Sequence, residues 1–375
     1  MKPFVQTLRS KAVLLATVML ILVSGTAQGE GATMSAAQTE KKLLTSVYVF
    51  DGSKVKYRDA DAADIDQMFY SFALIHNGRV STAHWKNFKK FRAYVQKHPN
   101  IFAILSVGGW GADGFSQAAA TAESREAFVA EVLQVMEQHG FRGVDIDWEY
   151  PGSSAAGIQS SPNDRHNYTL LLQTLRKGLD NLSAADGMQR KLCVALSGSP
   201  EMTASIECEA VGQIVDQVNL MTYDLQQPDV ASHHTALYAS YPGAISASAC
   251  VQAYLDAGIP AEKLMLGVAF YGHRWTTKNK EPLYQPATEK DTPSYAAIAK
   301  LIRKTPDAVR FDEVAQASYF LNKKTFISYD DERSIAQKRH FAQEHHLMGL
   351  FAWEYGLIAD GALVQAMGGS ASANP

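Results

Sequence analysis

Eight short apolar runs, at residues 44–50, 68–74, 101–107, 143–148, 192–196, 218–222, 264–270 and 347–352, alternate along the chain with longer amphipathic stretches. Runs of that length, apolar on both faces, suit strands buried from both sides. Such strands are joined in parallel by crossover helices. One intervening stretch, 123–138, places Phe128, Val132, Val135 and Met136 on one face and is closed by Gly140; another covers 168–179. Eight alternating units predict the α/β class, and within it a closed (β/α)8 TIM barrel rather than an open sheet. One connection exceeds what a loop should be. Residues 276–325 carry their own apolar content, including Leu283, Tyr295, Ile298, Leu301, Phe311 and Phe320. They predict a small α+β insertion subdomain with a helix near 295–303, standing on the strand C-terminal face of the barrel.

The barrel is expected over 43–366, after a flexible lead-in at 28–42 and before a loose tail at 367–375. The first 27 residues read differently. Lys2, Arg9 and Lys11 precede the uncharged run 12–23, which is followed by small residues up to Ala27. A basic start, a short apolar run and small residues are the marks of a secretory signal peptide. Twelve residues of helix span roughly 18 Å, too little for a hydrocarbon core of about 30 Å, so no stable membrane anchor is expected. The chain is therefore read as secreted or periplasmic. With 35 Lys and Arg against 38 Asp and Glu, and no basic run, nucleic acid is not an expected partner. The three cysteines, Cys193, Cys208 and Cys250, have no CxxC spacing. A disulfide framework and a thiolate zinc site are excluded. Cys193 is expected as a buried thiol, and Cys208 with Cys250 as a conceivable pair in an oxidising compartment.

The segment 141–152, Phe-Arg-Gly-Val-Asp-Ile-Asp-Trp-Glu-Tyr-Pro-Gly, carries the chemistry. In a strand, period two puts Asp145, Asp147 and Glu149 on one face, and Val144, Ile146 and Trp148 on the other. Pro151-Gly152 ends the strand, so the acids lie at its C-terminal end, where barrel enzymes place their reactive groups. Same-face neighbours are roughly 6.6 Å apart along a strand, and three crowded carboxyls cannot all ionise easily. Glu149, outermost, is placed to act as a general acid. A solvated acidic face and a hard-cation site are the alternatives. A buried parallel strand should be apolar on both faces, and nothing in the sequence completes an EF-hand or a His–carboxylate set. Neither metal nor cofactor is expected.

This segment resembles the D-x-x-D-x-D-x-E signature of glycoside hydrolase family 18, the chitinase family. Asp145, Asp147 and Glu149 match its last three acids. Other strand ends agree in order: Ser106-Val-Gly-Gly109 with Trp110, Met221-Thr-Tyr-Asp224, Phe270-Tyr-Gly-His-Arg-Trp275, Ser328-Tyr-Asp-Asp331 and Phe351-Ala-Trp353. The likeness runs from about residue 47 to 360, and the insertion stands where many bacterial members carry theirs. It implies hydrolysis of β-1,4 N-acetylglucosamine linkages in chitin or its oligosaccharides, by a retaining mechanism in which the substrate's own acetamido group attacks. By the same resemblance Glu149 would be the acid/base, Asp147 would orient the acetamido N–H, and Asp145 would share a proton with Asp147. Tyr223 would donate to the acetamido oxygen, Asp224 would bond nearby groups, and Trp353 would floor the sugar site. Trp110, Met221, Tyr271, Phe72, Tyr48 and Arg274 are candidate substrate contacts.

Ser106, Gly108 and Gly109 are read as making room in the barrel rather than touching substrate. Departures from the family pattern are Arg142 for the first signature Asp, His273 where Arg is expected, and the absence of a Trp after Asp224. Arg142 shares parity with Val144 and should point away from the acids. His233-His234 reads as a surface loop. An endo-β-N-acetylglucosaminidase acting on glycans or peptidoglycan shares the motifs, and a chitin-binding lectin of the same family would typically lack the catalytic acid.

Overall fold

The computed structural model describes residues 42–370 apart from 77, 279 and 280. The expected signal peptide and nearly all of the lead-in fall outside that range. Eight strands form the barrel: β1 (Leu44–Phe50), β2 (Gln67–His76), β3 (Phe102–Gly108), β4 (Gly143–Asp147), β5 (Lys191–Ser197), β6 (Gln217–Met221), β7 (Leu264–Ala269) and β8 (Gly349–Trp353). Every neighbouring pair is parallel, and pairing of β1 with both β2 and β8 closes the sheet on itself. The strand boundaries depart from the sequence reading by no more than two residues.

Strand parity sorts side chains into two cores. Val47, Val49, Val144, Ile146, Val194 and Leu220 face outward into the layer shared with the helices. Tyr48, Phe69, Ile104, Cys193, Met265 and Phe351 fill the barrel interior. The helices are shaped by local signals. In Ala122–His139, Thr121 accepts from the Ser124 N–H, and the Ser124 hydroxyl accepts from the Thr121 N–H. Gly140 ends this helix at φ 78°, a left-handed conformation that favours glycine. The helix Asp164–Asp186 buries Tyr168, Leu171, Leu172, Leu175 and Leu179, a three-and-four spacing that lays one face on the barrel. The last helix, Ala362–Gly368, extends past the expected end of the barrel at 366.

After β7 the chain leaves the barrel. A five-stranded antiparallel sheet runs in the order Thr288–Asp291, Gly272–Thr276, Thr325–Tyr329, Ala317–Asn322, Val309–Asp312, and the helix Tyr295–Lys304 lies within the same stretch. The sheet starts four residues before the expected insertion and ends four after it. Its first strand in chain order, Gly272–Thr276, is the continuation of the seventh-strand motif itself, so the sheet is hydrogen-bonded onto residues that lead directly out of β7.

A fully buried ion pair ties these parts together. Lys338 Nζ lies 2.7 Å from Asp330 Oδ2, both side chains being wholly inaccessible. Asp330 also accepts from the Ala269 N–H at the end of β7, from Thr235 Oγ1 and from Ser334 Oγ. Removing one partner of such a pair strands a charge in a dry interior, at a cost of about 3–5 kcal/mol. Lys338→Met is therefore expected to destabilise by about that amount, read as a lowered urea midpoint. The double variant with Asp330→Asn, which removes the charge and keeps an acceptor for the Ala269 N–H and Thr235, should recover much of the loss. A single variant as stable as the parent would show that the pair contributes nothing.

Candidate active site

The C-terminal strand ends surround a cavity of about 650 Å³, lined among others by Phe72, Trp110, Asp147, Glu149, Met221, Tyr223, Asp224, Tyr271 and Trp353. Its size falls within the range of small-molecule sites. Phe72, Glu149 and Trp353 each take part in a cis peptide bond.

The acids descend from rim to interior. Glu149 lines the cavity, Asp147 lines it deeper and is almost wholly buried, and Asp145 lies behind, without contact to solvent. Asp145 Oδ2 accepts from Tyr48 Oη at 2.9 Å and from Ser106 Oγ at 2.7 Å. Tyr48 Oη in turn accepts from Asn219 Nδ2, whose own amide oxygen accepts from Gln217. Oδ1 of Asp145 and Oδ1 of Asp147 are buried with no hydrogen-bond donor among the described residues. Protonation turns a buried carboxyl oxygen of this kind from an unmatched acceptor into a donor.

Electrostatics point the same way. Burial pushes Asp145 up to about 7, against the hydrogen bonds from Ser106 and Tyr48. Burial, then the charges of Glu149 and Asp145, raise Asp147 well above the carboxylate range. Burial also lifts Glu149 to about 7; a hydrogen bond with Tyr150 opposes this and Asp224 adds to it. A carboxyl in that range can give and take a proton near neutrality. Burial holds the phenols of Tyr48 and Tyr223 in the protonated, donating form.

An aromatic wall faces the acids. Trp353 stacks on Phe72, with ring centroids 5.6 Å apart, and is backed by Tyr48 and Phe50. Trp110 stands at the rim with 65% of its surface exposed. Gly108 and Gly109 make the room expected of them: a Cβ on Gly108 would lie 2.0 Å from the Asp147 carbonyl oxygen, and one on Gly109 would strike the Phe72 ring. Ser106 does more than make room, since it holds Asp145.

Several expectations are corrected. Arg274 does not line the cavity; its guanidinium is paired with Asp291 on the neighbouring strand of the subdomain. Parity explains this, because His273 and Arg274 are adjacent in one strand and point to opposite sides. His234 is not on the surface: it is wholly buried, with Nδ1 3.7 Å from Asp224 Oδ1. His233 is buried too, against Asp312. The three cysteines are free and buried. Arg142 does turn away, its guanidinium donating to the Ile101 carbonyl and covering the Phe102 ring.

Asp224 sits where β6 turns out of the barrel, at φ 57°. Tyr271 Oη donates to its Oδ1 at 2.7 Å, and His273 Nε2 lies 2.7 Å from the same oxygen. Although burial opposes it, His234 and His273 hold the Asp224 carboxyl well below the usual range. His273 is raised despite burial by Asp224 and Glu289, whereas burial drops His234 to about 4. The fold thus assembles a His–carboxylate set that is scattered in sequence.

Comparison with known proteins gives one consistent result. The family model described as Glycosyl hydrolases family 18 matches residues 44–357. Chitinase A1 of Niallia circulans is 35% identical over 296 residues, covering 72% of this chain and 42% of that protein, so the chain spans less than half of that relative's length. A family 18 N-acetylglucosaminidase from Paenibacillus barengoltzii superposes with a TM-score of 0.80 at 32% identity, covering 87% of this chain and 99% of that one. A class V chitinase from Nicotiana tobaccum, solved in complex with NAG4, superposes with a TM-score of 0.80 at 25% identity, covering 88% and 99%.

Proposed function

The chain belongs to family 18 of the glycosyl hydrolases, and from that footing we propose that it is a chitinase cleaving β-1,4 bonds between N-acetylglucosamine units with retention of configuration. The observation that carries this reading is the graded triad of acids. Glu149 is open to the cavity and pushed up to about 7 by burial, above two buried carboxyls that each carry an oxygen with no hydrogen-bond partner among the described residues.

In this mechanism Glu149 protonates the glycosidic oxygen of a sugar seated on Trp353. The 2-acetamido carbonyl oxygen of that sugar attacks its anomeric carbon and expels the leaving chain. The oxazolinium-type intermediate that forms carries positive charge. Asp147 takes a hydrogen bond from its N–H and balances that charge, while Asp145, braced by Tyr48 and Ser106, holds the proton the pair shares. Tyr223 donates to the acetamido oxygen, and Asp224 orients groups around it. Glu149, now a carboxylate, draws a proton from the water that opens the ring. Met221, Tyr271, Phe72 and Trp110 contribute the walls of the groove. Tyr48 also lines the cavity and braces the acids through Asp145.

Residues 1–27 support export to the periplasm or beyond, and chitin or its oligosaccharides are the proposed partners. The relation to an N-acetylglucosaminidase favours a second reading, release of single sugars from chain ends. Hydrolysis of N-acetylchitohexaose, with products resolved by length and anomer, tests both. Initially β-anomeric products of mixed length are expected. Monosaccharide alone would select the second reading, and initially α-anomeric products would exclude retention.

A further inference from the structure

The Asp224 corner holds an arrangement that sugar hydrolysis does not require. Asp224 Oδ1, a ring nitrogen of His234 and one of His273 all lie within 4.8 Å of one another. His273 Nε2 is 2.7 Å and His234 Nδ1 3.7 Å from the Asp224 oxygen, and the two imidazole rings are 4.7 Å apart. Two imidazoles and a carboxylate are a donor set that zinc takes in open sites, at about 2.0–2.2 Å from the ion. Around a tetrahedral ion that places donor atoms roughly 3.3 Å apart, and the separations here bracket this value.

Two further observations point to a ligand. Among the described residues neither ring nitrogen of His234 has a partner within hydrogen-bond distance, the Asp224 oxygen standing 3.7 Å from Nδ1, although the residue is wholly buried. An unpaired polar group in such a place costs free energy that coordination would recover. His273 has the support that metal-binding histidines usually have: its Nδ1 is held by the Glu289 carboxylate at 2.5 Å, with Gln226 Nε2 3.1 Å away, and its Nε2, which meets Asp224, would shed its proton to solvent on ligation. Asp224 also lines the cavity, so an ion bound to it would keep a coordination position open toward substrate.

We propose that Asp224, His234 and His273 bind a divalent transition-metal ion of the zinc type, which inhibits the enzyme by occupying the Asp224 carboxylate. Two nitrogens among three donors favour zinc over hard cations such as Ca²⁺ or Mg²⁺. The ion is an inhibitor, not a cofactor. Its binding stands on the geometry alone, and only the inhibition rests on the function proposed above.

The test uses tag-free full-length protein, stripped with a chelator and titrated calorimetrically with ZnCl2, with CaCl2 as the hard-cation control. One zinc per chain and no calcium binding are expected. His234→Asn should weaken zinc binding by at least about 10-fold, and Glu289→Gln, which alters only the support of His273, by about 10-fold. The thermal transitions of both variants are to be compared with the parent. In parallel, zinc should slow hydrolysis of N-acetylchitohexaose, and chelator should restore it. No zinc binding by the parent, or binding that both well-folded variants retain in full, overturns the site. Zinc bound at this site with unimpaired hydrolysis overturns the inhibition. Inactivity toward the hexamer in metal-free buffer would count against the proposed substrate and leave the calorimetric test of the site unaffected.

Discussion

Replacing Glu149 by Gln is expected to lower hydrolysis of N-acetylchitohexaose by about 10³-fold, or about 4 kcal/mol of transition-state stabilisation, while oligosaccharide binding is retained. The substitution is nearly isosteric and leaves the cavity wall in place. The amide cannot deliver a proton to the leaving oxygen, nor take one from the attacking water, so both halves of the reaction lose the same group. The pH profile gives an independent readout. Burial raises Glu149 to about 7, so the acid form needed for the first step is populated below that pH and lost as pH rises through it. The parent's rate should therefore fall on the alkaline side with a midpoint near 7. Burial pushes Asp145 into the same range and the charges of Glu149 and Asp145 both bear on Asp147, so that limb belongs to the cluster rather than to one residue. Activity above about a tenth of the parent's in Glu149→Gln would remove Glu149 from this role.

The positions of these acids were legible because a buried parallel strand has no ordinary reason to carry them. Asp145, Asp147 and Glu149 share one parity, and the Pro-Gly pair after Tyr150 fixes which end of the strand they occupy. The same logic would have found more than it did. Gln217 and Asn219 lie on the parity of Met221 and Tyr223, within a strand otherwise made of Val218 and Leu220. Polar residues at alternate positions of a buried strand must point at something polar, and these reach Asp145 through Tyr48. Ser106 is the same case one strand over.

His234 was not legible, and the reason is topological. It follows Asp224 by ten residues without periodic pattern, and its neighbours Ser232 and Thr235 read as loop. It is held by the antiparallel sheet: its backbone N–H donates to Ser328 Oγ, nearly a hundred residues later in the chain. Local sequence holds no trace of that contact. That residues 276–325 carry structure of their own was legible, since fifty structureless residues are improbable, but the strand that opens the antiparallel sheet was hidden. Gly272–Thr276 continues the β7 motif after a break of only two residues, and hydrophobicity does not mark where barrel pairing gives way to antiparallel pairing.

Fully deacetylated chitosan hexamer is expected to yield no products under conditions that consume the acetylated hexamer. The contrast separates the proposed mechanism from its nearest rival. Asp147 and Glu149 both line the cavity, so a direct route in which Asp147 attacks the sugar and Glu149 serves as acid and base is the rival to test. The deacetylated chain keeps the glycosidic bond and all that this rival needs; what it lacks is the acetamido oxygen. Its cleavage at a comparable rate, or a covalent sugar ester on Asp147 seen by mass spectrometry, would establish the direct route. The burial of Asp147 argues for the substrate-assisted one. Burial, Glu149 and Asp145 all disfavour its anion, which weakens a nucleophile but suits a group that gains charge as a cation forms beside it. Asp147→Asn, which keeps the shape and removes that charge, should then slow the acetylated substrate by about 10²–10³-fold. A direct nucleophile would leave no comparable residual route. Azide distinguishes the two cases in the variant, because it restores the rate by replacing a lost nucleophile, whereas it cannot stand in for a carboxylate that only balances charge and orients an N–H.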